Sequence, residues 1–190
     1  SAGQIVISAS ERDANGAPQL NVTTETATRG LAKSLMKFQA RSESTFDVRS
    51  GRLLSLRENS VARAKHTDYS VRFDYDQRLA WFSNDTAIEP RTLDLPEGEP
   101  ADLITTLLNT RRWDLPIGEA KDVLVSYRDD FYLLTVHATK AERVKTPLGE
   151  FDTIVMEPRM EKMTPKGMFK RGANVRVWVS RDEARLPVRF

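Results

Sequence analysis

The residues of this chain that could do chemistry are few and scattered. Its only histidines are His66 and His137, and it has no cysteine. The second fact removes disulfides, thiolate catalysis and cysteine-held zinc together. A metal would need both histidines with carboxylates, and their spacing offers no such set; His137 falls at a strand position and reads as structural. Asp129-Asp130 and Asp182-Glu183 are paired acids, but both lie in expected turns, where aspartate is favoured for bonding to backbone. Glycoside chemistry wants two acids facing one cleft, and nothing in the sequence locates that cleft. No G-x-S-x-G elbow places a nucleophilic serine, and Ser50-Gly51 reads as a turn. The sequence therefore assigns no catalytic residue, no metal ligand and no cofactor.

Binding chemistry is better represented. Lys166, Lys170 and Arg171 share a glycine-bounded loop with Met168 and Phe169. Three cations and mobile backbone amides could hold an anionic head group while Met168 and Phe169 reach into an apolar groove. The plainer reading is a basic connection whose Met and Phe pack on the core. Tyr69, Phe73 and Trp81, with Tyr75 and Phe82, form an aromatic group on two adjacent strands. They read first as sheet core, and as the lining of an apolar cavity if a barrel is left incomplete. Trp113 either rims that cavity or caps the end of a helix.

The elements that must position these residues are mostly strands. Residues 4–9 and 19–28 are β-prone around the turn Asn15-Gly16. Residues 30–38 fit a short helix or a strand, with a helical turn preferred. From Ser42 the alternation strengthens through residues 42–48 and 53–58. It is cleanest at Tyr69, Val71, Phe73 and Tyr75, before residues 79–83 return. Residues 88–99 read as a loop with Pro90, Pro96 and Gly98. A helix over 102–112 follows, N-capped by Asp102, with an apolar stripe of Leu103, Ile104, Leu107 and Leu108. Residues 122–128 and 131–138 make a hairpin, residues 139–145 extend it through a bulge, and residues 151–158 pair back after the turn at 146–149. Val175, Val177 and Val179 alternate, and a last strand begins at Leu186. Roughly ten strands and one or two helices predict a mainly β fold: a curved antiparallel sheet forming an incomplete β-barrel around one α-helix.

Size and charge agree. The 190 residues fit a single β-rich domain, 1–190, with a further strand expected after Phe190. Hydrophobic content of 39% beside 29% charged residues suits a sheet with one wet face. The net charge of +2 gives no global field for nucleic acid. No apolar run approaches the roughly 20 residues that span a bilayer.

The segments VKTPLGEFDTIVMEPRM (144–160) and GMFKRGANVRVWVSRDEARLPVRF (167–190) carry a resemblance. They are similar to the bacterial domain-of-unknown-function family 3108, with its TPxGxFD-like turn, GxFK-R-G segment, VWxSxDxxRxPVR strand-turn-strand and D-L-rich upstream helix. The resemblance implies an exported, mostly periplasmic protein with a half-barrel shape similar to the lipoprotein carriers LolA and LolB. It implies no activity.

The leading expectation is a non-enzymatic exported domain that binds an apolar or amphipathic ligand, a lipid or lipoprotein acyl chain, in the hollow of a half-barrel. The second is a structural or protein-interaction module of the cell envelope, docking through a sheet edge or the 166–171 loop. A glycan-acting envelope enzyme is the third. A side-chain-filled interior would favour the second over the first.

Overall fold

Alternating apolar and polar residues, punctuated by short polar turns, fold the first half of the chain into a meander. In the computed structural model, residues 3–28, 38–85, 89–147, 149–166, 169–170 and 175–189 are described. Contacts divide the chain into two compact units, Ser1–Pro100 with Arg128–Asp130, and Ala101–Tyr127 with Phe131–Phe190.

The first unit is a seven-stranded antiparallel sheet in sequence order: β1 (Gly3–Ala14), β2 (Ala17–Thr28), β3 (Phe38–Asp47), β4 (Leu53–Ala62), β5 (Lys65–Asp74), β6 (Leu79–Asn84) and β7 (Arg91–Asp94). Asn15 and Gly16 both take positive φ, 57° and 84°, as the two-residue hairpin turn requires. Asp47 and Asp74 fold the β3–β4 and β5–β6 turns by accepting bonds from Ser50 N and Gln77 N, at 2.6 and 2.8 Å. One face is dry. Leu53, Leu56, Tyr69, Val71, Phe73 and Ala80 are all buried on it, and each large side chain contributes about 1.5–3 kcal/mol. Strand β7 lies where the sequence reads as loop. Four of the five residues between Pro90 and Pro96 pair with β6, from Leu79↔Asp94 to Phe82↔Arg91. The expected helical turn at 30–38 lies almost wholly outside the described residues; Phe38, inside them, begins β3.

The second unit holds the only helix among the described residues, α1 (Leu103–Asn109). A 3-10 turn, Thr110–Arg112, continues it. Asp102 is its N-cap as expected, accepting from Thr105 N at 2.8 Å. The stripe differs from expectation. Asp102, Thr106 and Thr110 are buried, Leu103 is exposed, and Leu107 is the leucine that reaches a core cluster.

The five-stranded antiparallel sheet runs β12 (Pro187–Arg189), β11 (Val177–Ser180), β10 (Gly149–Arg159), β9 (Asp130–Thr146), β8 (Ala120–Tyr127). The expected bulge is present. The register jumps from Val155↔Lys140 to Met156↔Ala138, leaving Thr139 unpaired. As the apolar residues on both sides of β10 require, both faces are covered: Val155 packs with Val144 and Trp178, and Met156 with Val136, Ala138, Val177 and Val179. Among the described residues the protein is thus mainly β with one short helix, and neither antiparallel sheet closes on itself.

Candidate functional site

Register sorts the aromatic group into two. Tyr69, Phe73 and Phe82 share the buried face of the first sheet, with Tyr69 stacked on Phe82 at 5.8 Å between ring centres. Tyr69 is 2% exposed, Phe73 7%, and the Tyr69 hydroxyl meets Glu58 Oε2 at 3.1 Å. Trp81 pairs with Arg72 in the ladder and so faces the other way, its ring 5.0 Å from the Arg72 guanidinium carbon. Tyr75 donates to Leu53 O at 2.8 Å. Burial pushes its hydroxyl up to about 12, so it is a neutral donor at any ordinary pH. These rings are packed side chains, and Trp81 does not join Tyr69 and Phe73.

The basic loop is also anchored by packing. Phe169 is 8% exposed in a cluster with Val125, Tyr132, Leu134 and Met160. Lys166 N lies 3.1 Å from Met160 Sδ, and Phe169 N donates to Lys166 O at 3.0 Å. Lys166 is half-buried and Lys170 exposed; Met168 and Arg171 lie outside the described residues. Phe169 thus takes the plainer of its two expected roles. Trp113 closes the end of the 3-10 turn, its backbone N–H bonded to Thr110 O, with Lys121 Nζ 5.1 Å from its ring.

The acidic pairs are engaged in folding. Asp129 is ion-paired with Arg91 at 2.5 Å. Asp182 receives Ser180 Oγ at 2.7 Å and Arg185 N at 3.1 Å. The second bond belongs to a lock that residue types alone did not reveal. Arg185 takes φ 44°, donates to Trp113 O at 2.6 Å and pairs with Asp114 at 3.0 Å. Arg111 reaches Ala184 O at 2.8 Å. The S-x-D-x-x-R segment at 180–185 therefore fastens the turn before β12 to the end of the helix.

Elsewhere on this unit, Glu157 is held below its usual range by Arg159 and, after the opposing cost of burial, by Arg176. Lys162 and Thr135 do the same for Asp122. His137 lies 3.0 Å from Glu161, and His66 is exposed on β5 in the other unit. Among the described residues, no three His, Asp or Glu side chains gather as a metal set.

What remains open is the margin of the first sheet. Strand β1 is an edge, and every residue from Gln4 to Asp13 is exposed. Ile5, Val6 and Ile7 are 47%, 45% and 41% exposed. On the sheet's outer face beside this edge lies an open groove of about 310 Å³. Gln4, Val6, Glu25, Gln39, Arg41 and Asn59 are among the residues that line it, and Arg41 is ion-paired to Glu25 at 2.6 Å. The sequence marked residues 4–9 only as β-prone. The missing signal was that, among the described residues, no strand pairs with their outer side.

Mainly β, antiparallel and open-sheeted, the chain falls in a class with a solved relative in shape. It is similar to the β-barrel-like protein of domain of unknown function DUF1849 from Brucella abortus, with TM-score 0.51 and 11% identity, covering 97% of this chain and 78% of that one. At that identity the likeness is one of fold. The chain belongs to the DUF3108 family of proteins of unknown function, whose model matches residues 1–190. No curated protein matches the sequence.

Proposed function

We propose that this chain is a non-catalytic, exported module of the bacterial cell envelope that works by binding protein along the open edge of its first sheet. The observation that carries the reading is β1: twelve residues, exposed from Gln4 to Asp13, with three consecutive large apolar side chains. Unpaired backbone N–H and C=O groups on such an edge offer a ladder for an added strand, and flanking side chains supply selectivity. The packed state of Tyr69, Phe73 and Phe169 also favours it, since these residues would otherwise have lined a ligand cavity. Export and the envelope setting follow from the resemblance. The test is site-specific photo-crosslinking in the protein's own host, from Val6 and, as a control on the exposed face of β4, from Arg57. Adducts from Val6 and none from Arg57 are expected. Absence of any Val6 adduct overturns the reading.

The second reading is an apolar or amphipathic ligand, a lipid or lipoprotein acyl chain, and the open groove beside β1 favours it, where Val6, Ala27 and Val61 give an apolar floor. Organic extraction of protein purified from its host tests it: a stoichiometric lipid supports it, and bare protein with no mass shift on adding acyl ligands removes it.

A further inference from the structure

The four sheet margins are treated very differently. Strand β7 is four residues long, with Arg91 tied to Asp129. Strand β12 begins with proline. The outer side of β8 is partly occupied: Ala101 bridges Val125, donating to Leu124 O at 3.0 Å and accepting from Ser126 N at 2.9 Å. These are the usual devices that blunt an edge: brevity, charge, proline and cover. Strand β1 has none of them over Gly3–Ser10. It runs twelve residues with an unbroken register from Gly3↔Thr28 to Ala14↔Ala17, and carries no proline and no charge before Glu11. Among the described residues nothing pairs with its outer side.

Resting on the edge-docking reading above, we propose that the partner β1 takes is β1 of a second copy of this chain, antiparallel and centred on Val6. Two identical strands side by side in one sheet are related by a twofold axis normal to that sheet. Such an axis keeps each face on its own side, so the permitted registers differ by steps of two residues. Centring on Val6 sets Val6 against Val6 on the outer face and Ile5 against Ile7, twice, on the face that is buried elsewhere in the sheet. Gln4 meets Ser8 and Gly3 meets Ala9, and Glu11, Arg12 and Asp13 fall outside the overlap. Centring on Ile7 puts Ile5 opposite Ala9 and Gly3 opposite Glu11. Centring on Ser8 puts Ile5 against Glu11. Only the Val6 register matches every large apolar side chain with another, and cross-strand pairs of this kind are the unit of sheet stabilisation. Two strand edges make a small interface, so the dimer belongs to the weak, concentration-dependent class.

The test uses the full chain. Because it has no native thiol, Val6→Cys and Gln4→Cys each carry one. Opposed residues at the axis have Cβ atoms about 5 Å apart, within reach of a disulfide, whereas two copies of residue 4 sit four positions, roughly 13 Å, out of register. Under a mild copper oxidant, Val6→Cys is expected to link into a species of twice 21.6 kDa at least tenfold faster than Gln4→Cys. Sedimentation is expected to show reversible dimer for the natural sequence at high micromolar concentration, and monomer for Val6→Lys with an unchanged circular dichroism spectrum. Equal linking rates, or monomer throughout, overturn the proposal. The Val6 photo-adducts separate the two readings: a different protein leaves edge docking standing and removes self-pairing, whereas no adduct removes both.

Discussion

The two sheets solve the same problem in opposite ways. The first is a pure meander in which each strand pairs with its sequence neighbour. Its dry face is continuous, its other face is wet, and one long margin has no neighbour among the described residues. The second has a seventeen-residue interior strand, a bulge that turns β9 against β10, apolar packing on both faces, and a β8 margin that is partly covered. The finish of one sheet and the open edge of the other are what the proposed edge docking rests on. The five-stranded unit spends its polar residues fastening itself together; the seven-stranded unit leaves apolar residues in water.

Breaking the closed region should have the largest effect. Val155 is fully buried, so Val155→Asp buries an unpaired charge and is expected to cost about 4 kcal/mol or more in denaturant unfolding, enough to unfold the protein outright. Next comes the lock. Arg185→Ala removes the bonds to Trp113 O and Asp114 and should cost about 2 kcal/mol. Arg185→Gly should recover part of that loss, because φ 44° favours glycine; thermal melts of the two variants check the order.

Acid should then act on the five-stranded unit. Glu157 is held below its ordinary value of 4.5, so its contribution is fully present above that pH and is lost as pH falls through the lower folded value. Glu157→Gln should flatten the stability profile below about pH 4.5, as read by melting temperature across an acid series. Smallest in stability is Val6→Lys. At an exposed edge it should shift unfolding by no more than about 0.5 kcal/mol while abolishing self-association. That separation, no change in folding with total loss of pairing, sharpens the contrast between the regions.

Much of this fold was legible because local rules dictate it. The alternation at Tyr69, Val71 and Phe73, the Asn15-Gly16 turn, the Asp102 cap and the bulge after Ala138 are each written in adjacent residues. Strand β7 was hidden by flanking prolines, since only its pairing with β6 makes four residues a strand. The helix was read through its leucines, but a buried row of Asp102, Thr106 and Thr110 is invisible to hydrophobic periodicity. Trp81 and Phe82 are neighbours in the chain and so must face apart; which one joins Tyr69 depends on the Val71↔Phe82 register, which no local pattern encodes. The site was least legible of all. Ile5, Val6 and Ile7 look like any apolar strand, and their meaning comes from the absence of a described neighbour beyond them.

Hydrogen–deuterium exchange of the whole chain, from dilute to concentrated solution, tests the central claim most directly. The account predicts that backbone amides in residues 3–9 slow as concentration rises, while those of β8 and β10 do not change. Exchange across residues 3–9 that stays the same at every concentration, with slowing at β8 instead, would contradict it.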